Sequence, residues 1–560
     1  KPNSAHLIDR GRRLVTSSED STLLWRLDVD RAPLNLDIGR VQRAFMAKGH
    51  LWLLSKSGGL EVFQTNGNRL AKLITMANGS WLVAGEDGRY DSNRPGQLEG
   101  IGWVVSDTPL DTLPVEVFMK QYYEPRLLPR LLGQDTFVSI PNLATVNRQQ
   151  PGVSFQRIQS QSEQTVSVTI NVSRPANINT ADSTDEASRV FDLRLLRDGK
   201  QIAHYPEDHG SIVLQPDGTA TVTFNNIALP ESSAGDTVKF EAMAFNNSGI
   251  KSPTAQFSYS TELDSHYKNR RAFVINVGVN HYSHPRWNLA YAVNDATAIN
   301  QSLTTRLASN FDEVISIPIL TTDDAWVTEM DISNVLAEIV SGSDQHNPLT
   351  PRDSILFTWA GHGFASADGE FHLITSNVGD SGQVDDAFLE HSVSTTDLTR
   401  WFEPLDADNI IMVIDACNSA ASVEGKGFKP GPMGSRGFGQ LAWFKGMQII
   451  TASQSDDVAL ESATIKHGLL TYSMVIEGLD LAAADNKPAN NLISTSEWLE
   501  YGQQRVPQLF IALKSGNLED EVLDKRGLTP PSIEPKKIEP QTPALFNFKK
   551  NNQELEMSVN

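Results

Sequence analysis

Residues 354–363, SILFTWAGHG, and residues 410–419, IIMVIDACNS, decide the fold. Each is an apolar, strand-forming run that ends in a short loop carrying one reactive residue, His362 in the first and Cys417 in the second. Apolar runs without polar interruption are what a parallel strand covered on both faces shows. In an open α/β sheet the loops at the carboxyl ends of the strands converge on a crevice. Two such loops, one offering an imidazole and the other a thiol, predict a reactive site at that edge. Gly361 and Gly363 are expected to keep side chains out of the path of a substrate backbone approaching His362.

Outward from this pair, the chain from Tyr267 alternates strands with helices. Strands are expected at Ala272–Val279, Glu313–Leu320, Ser354–Trp359, Ile410–Ile414 and Met447–Ala452. Helices are expected at Asp295–Leu307, with Asn294 or Asp295 as cap, and at Ile332–Val340, Thr396–Phe402, Leu469–Leu481 and Glu497–Leu513. The last is opened by the capping box Ser494-Thr-Ser-Glu497. This alternation predicts a mostly parallel sheet covered by helices over residues 267–515.

Upstream the period changes. Residues 151–262 carry alternating runs, TVSVTINVS, FDLRLLRDGKQIA, TATVTFNNIAL and DTVKFEAMAFNNSG, with Asp-Gly and Asn-Ser-Gly turns between them. Such spacing predicts a β-sandwich, and the set resembles an immunoglobulin-like module without its cysteines. Residues 1–100 read as short strands with turn signals, and LVTSSEDSTLLWRLD resembles a blade of a WD-repeat propeller with Trp25-Arg26 where Trp-Asp would stand. The chain is thus expected to be multidomain: a partial propeller-like region 1–100, a connector 101–150, a sandwich 151–262, the α/β unit 267–515 and a tail 516–560. The tail is proline-rich from Thr529 and expected to be unpacked.

The chain has 560 residues, more than one core usually supports, and a formal charge of −21 with scattered basic residues, which argues against nucleic-acid binding. No apolar stretch approaches the roughly 20 residues of a bilayer span. The first residue is not Met and no signal-like apolar core follows it, so an upstream piece is expected and the compartment stays open. Cys417 is the single cysteine, which excludes intramolecular disulfides. A lone cysteine is by default a small buried hydrophobe, and a histidine between glycines can be a turn residue.

Their pairing carries the chemistry. A thiol with a pKa near about 8.5 is only slightly ionised at neutral pH and needs a neighbouring imidazole to serve as nucleophile. Trp359-Ala-Gly-His362-Gly with Ile414-Asp-Ala-Cys417-Asn-Ser-Ala resembles the histidine and cysteine motifs of caspase-like peptidases, particularly bacterial orthocaspases and metacaspases. The spacing, 417 − 362 = 55 residues, is near the roughly 50 of the caspase pair. Asn288-Leu-Ala-Tyr-Ala-Val-Asn-Asp295-Ala resembles the segment after that family's first strand. The segments from Ile450 to Glu461 and from His467 to Ser473 resemble its later strand and helix.

The resemblance implies a cysteine endopeptidase in which Cys417 attacks the scissile carbonyl, His362 moves the proton, and the amides of Gly363 and Cys417 face the oxyanion. It requires no metal or other cofactor. Some relatives bind calcium through acidic loops, but Asp380, Asp385 and Asp386 lack the spacing of a calcium loop and read as a solvated turn. Asn418-Ser419-Ala420 departs from the His-Ser-Gly that metacaspases usually carry after the nucleophile. Asp295 and Asp415 match the positions of the family's acidic pocket, which implies peptide substrates with Arg, then Lys, before the cleaved bond. The alternative is that Asp295 caps its helix and Asp415 bonds backbone. The glycine-rich, basic loop Gly425–Lys445 is an expected self-cleavage segment, at Lys426 or Arg436, with Lys429 disfavoured by Pro430. A second reading is a non-catalytic scaffold that binds protein partners through its N-terminal β regions, and a third is an amidase acting on small molecules.

Overall fold

A computed structural model describes residues 3–56, 58–96, 98, 100–104, 112–133, 137–175, 189–366, 370–379, 386–418, 435–452, 460–462, 465–514, 523–525, 541–550 and 554–559. The α/β unit is built on a sheet in the order Glu313–Leu320, Arg271–Gly278, Ser354–Ala365, Asn409–Asn418, Gln448–Thr451, Ala544–Asn547. The first five strands are parallel and the last is antiparallel. Arg271–Gly278 is buried along its whole length, with its two polar residues satisfied inside: Arg271 donates to Asp353 and Asn276 to Thr358.

Helices cover both faces. Alternation along the cysteine strand sends Ile411 and Val413 to the side of Ile299, Leu303, Met474 and Trp498. Met412, Ile414 and Ala416 go to the side of Ile332, Leu336, Leu398 and Phe438. The first side carries Ala292–Leu307, Leu469–Thr471 continuing as a π-helix Tyr472–Asp480, and Thr495–Lys514. The second carries Glu329–Ser341, Thr395–Phe402 and Ser435–Lys445. The capping box of the long helix forms as expected, with Ser494 and Glu497 bonding each other's backbone amides at 3.0 and 3.2 Å. Among the described residues no helix is long and apolar enough to cross a membrane.

Three expectations are corrected. The 292–307 helix begins before Asp295, which sits in its first turn and does not cap it. The tail is not unpacked throughout: Ala544–Asn547 adds an edge strand to Gln448–Thr451, and Glu556–Ser558 pairs with Leu492–Ser494. Leu545 and Phe546 satisfy the sheet edge there, a short apolar signal masked by the preceding prolines. The expected loop Gly425–Lys445 ends as the helix Ser435–Lys445, because Phe438, Leu441 and Ala442 bury one face in the core.

Residues 4–35 form a four-stranded antiparallel sheet and residues 41–92 a six-stranded antiparallel meander paired strictly in chain order. The connector contributes Phe118, Tyr122 and Tyr123, all buried against the cluster that also holds Phe438 and Leu441. Residues 152–260 form two antiparallel sheets over a shared core of Val168, Ile170, Leu195 and Phe240.

Buried polar contacts join this two-sheet region to the α/β unit. Lys445 is 3% exposed and donates to the carbonyls of Gln201 at 2.7 Å and Glu403 at 2.8 Å. Burial pushes its amine down to about 8. His209 bridges Asp192 at 2.7 Å and Glu403 at 2.9 Å. The Asp192 hydrogen bond, then that of Glu403, pushes its imidazole up to about 9. Burial lowers the neighbouring His204 from its ordinary value. The Arg197 side chain, 5% exposed, makes paired hydrogen bonds to Asp406 at 2.8 and 2.7 Å.

Removing Asp406 leaves the buried Arg197 guanidinium with the Ala228 carbonyl and no partner carboxylate at that contact. Asp406→Ala is expected to cost about 3 kcal/mol in urea unfolding. Arg400→Ala, which breaks an ion pair whose arginine is 71% exposed, is expected to cost less than about 1 kcal/mol.

Candidate active site

Parallel pairing between the histidine and cysteine strands runs without a break from Ser354 opposite Asn409 to Gly363 opposite Asn418, and places His362 directly opposite Cys417. Both strands therefore deliver their reactive residue to the same carboxyl edge, as the two apolar runs predict.

The His362 ring is fixed by the loop that follows the first strand. Its Nε2 lies 2.8 Å from the Trp287 carbonyl. A carbonyl only accepts, so Nε2 carries the proton and Nδ1 the lone pair. The Tyr282 and Trp287 rings pack against the imidazole at 5.0 and 6.0 Å between centroids. The Tyr282 hydroxyl accepts from the His362 backbone amide at 3.0 Å. The loop itself is pinned: Asn288 Oδ1 accepts from the Tyr282 amide at 3.0 Å, and the short helix Pro285–Trp287 is capped by His284. No carboxylate orients the histidine through these contacts; a main-chain carbonyl does. Tyr282 and Trp287 were not among the sequence candidates. The signal was there in HYSHPRW, an aromatic cluster at the carboxyl end of the first strand and directly ahead of the Asn288–Asp295 motif.

The two glycines beside His362 differ in role. A methyl group on Gly361 would lie 3.2 Å from the Trp359 indole nitrogen and 3.2 Å from the Tyr282 hydroxyl. That glycine is thus required by close packing as well. The His362 carbonyl accepts from Ile374 and its amide donates to Tyr282. Strand alternation then turns the Gly363 amide toward the cysteine strand.

Asp295 and Asp415 are both fully buried, and the fold brings them to one place. Asp295 accepts from His467 Nδ1 at 2.8 Å and from the Gly468 amide at 3.3 and 3.2 Å. Asp415 accepts from the Thr471 hydroxyl at 2.7 Å and its amide at 3.2 Å. A methyl group on Gly468 would sit 2.6 Å from Asp415 Oδ2, so only glycine lets both carboxylates close on this point. Asp415 does bond backbone, as one alternative has it, whereas Asp295 reaches across to another element and leaves its own helix uncapped. His467 enters the sequence reading only as part of a motif; the structure makes it a hydrogen-bond partner of Asp295 at 2.8 Å.

Lys426, Lys429, Asp380 and Asp385 lie outside the described residues. Arg436 lies in the first turn of the helix Ser435–Lys445, and Asp386 opens the short helix Asp386–Leu389.

No curated protein matches the chain. Solved structures with some likeness include the extracellular domain of a hybrid two component system from B. thetaiotaomicron. It is 10% identical over 46% of this chain and 30% of that one, at a TM-score of 0.14. The WD40 domain of SCAP from fission yeast is 11% identical over 47% of this chain and 75% of that one, at a TM-score of 0.12. A Parabacteroides merdae beta-glucuronidase is 10% identical over 47% of this chain and 29% of that one, at 0.13. The chain spans 30% of the length of the first, and likenesses at these TM-scores carry no weight for fold or function. A family model described as the caspase domain matches residues 269–501, the same residues that hold the paired strands, and it supports a caspase-like cysteine peptidase for this part of the chain.

Proposed function

We propose that the chain is a cysteine endopeptidase that hydrolyses peptide bonds after basic residues, Arg before Lys, with His362 and Cys417 as its catalytic pair. The observation that carries this reading is the strand register that sets His362 opposite Cys417 while the Trp287 carbonyl holds the imidazole in the proton-accepting tautomer. His362 Nδ1 takes the thiol proton, and the thiolate of Cys417 attacks the scissile carbonyl carbon. His362 then gives that proton to the leaving amine as the C–N bond breaks, and water hydrolyses the acyl-enzyme with His362 again as base. The amides of Gly363 and Cys417 are the donors for the oxyanion.

Basic specificity rests on the carboxylates that meet at Gly468. A guanidinium can engage two carboxylates with its planar fork, which a lysine ammonium cannot, and an acidic side chain there would meet like charge. On entry it takes the place of His467 on Asp295. The scaffold reading is disfavoured because both reactive residues are present and opposed. The antiparallel N-terminal meanders, read as propeller-like blades, and the immunoglobulin-like two-sheet region are in this reading supports that hold or present partners. For self-processing, Lys426 is preferred over Arg436, since cleavage at Arg436 requires the start of its helix to unwind.

Cys417→Ala is expected to abolish peptide hydrolysis and His362→Ala to be nearly as damaging, with the double variant little worse than either, because the two act as one unit. Retained turnover in Cys417→Ala removes the assignment. Labelling of Cys417 by a peptide electrophile should depend on His362, which a degenerate scaffold would not require.

On a fluorogenic peptide library, Arg substrates should exceed Lys substrates and Asp substrates should be inert. Asp415→Asn keeps an acceptor for Thr471 but loses the charge. It should lower kcat/KM for Arg substrates about tenfold or more, the loss of one charge-assisted hydrogen bond. An unchanged preference excludes the pocket while leaving the catalytic pair standing.

A further inference from the structure

The boundary between the two-sheet region and the α/β unit holds a cluster of ligating side chains that the peptidase chemistry does not use. His204 lies on the strand Lys200–Tyr205, His209 on the turn that follows, and Glu403 directly after the helix Thr395–Phe402. Their ligating atoms all fall within 4.8 Å of one another. We propose that His204, His209 and Glu403 form a zinc site that ties the two-sheet region to the α/β unit.

The donor set comes first. Two imidazoles and one carboxylate are borderline nitrogen and oxygen ligands of the kind zinc takes, with a solvent molecule completing a tetrahedron. Ligands at zinc distances in a tetrahedron stand about 3.4 Å apart. Glu403 Oε2 is 2.9 Å from His209 Nε2 and 3.9 Å from His204 Nδ1, so the separations bracket that value with the carboxylate oxygen between the two rings.

The surroundings are those of a prepared site. Asp192, fully buried, accepts from His209 Nδ1 at 2.7 Å and leaves Nε2 to point at the cluster. Asp192 is in turn held by Arg194 and Lys120. A carboxylate on the far nitrogen of an imidazole is the usual orienting partner of a zinc-bound histidine. Gln201 Nε2 lies 3.4 Å from Glu403 Oε1, which turns Oε2 toward the rings.

His204 gives the second, independent indication. Its Nε2 faces the Glu207 carbonyl at 3.4 Å, so Nε2 carries the proton and Nδ1 presents a lone pair to the Glu403 carboxylate. At 3.9 Å from Glu403 Oε2, His204 Nδ1 makes no direct hydrogen bond to it, and an ion between the two would take a bond from each. The proton on His209 satisfies Glu403 alone and does nothing for His204. The His204 and His209 rings stack at 4.2 Å between centroids, so a shared ion requires one ring to tilt out of the stack. Zinc replaces the proton on His209 Nε2, which leaves to solvent, and no redox step is involved.

The test uses the full chain carrying Cys417→Ala, so that the thiol cannot bind metal, stripped with chelator and titrated with zinc chloride by calorimetry. One zinc per chain and a raised melting temperature are expected. His204→Ala should weaken binding at least tenfold while leaving the melting temperature in chelator unchanged, since this ring makes no short contact with a carboxylate. His209→Ala should also lose zinc, with some loss of stability in chelator because it bridges two carboxylates. Absence of binding in the Cys417→Ala chain, or zinc affinity in either histidine variant as high as in that parent chain, overturns the site and leaves a simple imidazolium bridge.

Discussion

The register between the histidine and cysteine strands is the constraint on which the rest of the molecule depends. The two strands pair from Ser354 and Asn409 to Gly363 and Asn418 with no bulge, and both bury residues on each face. A slip of one residue would turn every side chain of one strand to the wrong helical layer. It would also carry His362 away from Cys417 and Asp415 off the face that meets Asp295. Packing and chemistry are therefore enforced by the same alignment, and selection for a tight core already positions the reactive residues.

Sheet order then supplies each reactive strand with a second neighbour. The histidine strand lies between the first strand and the cysteine strand. The loop after the first strand is thus placed to bring the Trp287 carbonyl and the Tyr282 hydroxyl to His362. On the other side, two buried carboxylates face a steep desolvation penalty unless donors reach them. One short segment, His467 to Thr471, supplies donors to both, where the amides at the start of a helix have no partner within the helix. The acidic pair is stable because this helix begins where it does, and Gly468 is glycine because two carboxylates crowd it.

The sequence was most informative where period and chemistry coincide. The strand Glu313–Leu320 was legible to the residue, but the histidine strand runs on from Trp359 to Ala365 and the cysteine strand from Ile414 to Asn418, so His362 and Cys417 stand within strands and not in the loops expected after them. His362, Cys417, Asp295 and Asp415 were singled out from their motifs; the strand register sets the first two opposite each other, and Gly468 lies against the carboxylates of the other two. Contacts made by backbone were not legible. The aromatic run HYSHPRW marks the segment, but that its Trp287 carbonyl and Tyr282 hydroxyl are the groups that reach His362 depends on tertiary placement. The strand Ala544–Asn547 was missed because a short apolar pair after a proline-rich stretch has no local signal beyond composition. Ser435–Lys445 was read as loop because Gly437 and Gly439 lower helix propensity, yet its packing is tight: methyl groups there would lie 2.5 Å from Thr395 and 2.5 Å from Pro125.

The two-sheet region is part of the support of the site and not an appended module. Its ties converge on Glu403, Asp406, Ala407 and Asp408, directly before the cysteine strand begins at Asn409, and on Lys445, shortly before the strand at Gln448. Both strands are therefore held at their amino ends by buried, directional contacts. Buried ion pairs of this type contribute more to fixing one arrangement than to net stability, since desolvation offsets most of their attraction. The carboxyl ends, where the register sets His362 opposite Cys417, are the ends these contacts do not reach. The alignment there therefore depends on the unbroken strand pairing itself, which the contacts at the amino ends keep from slipping.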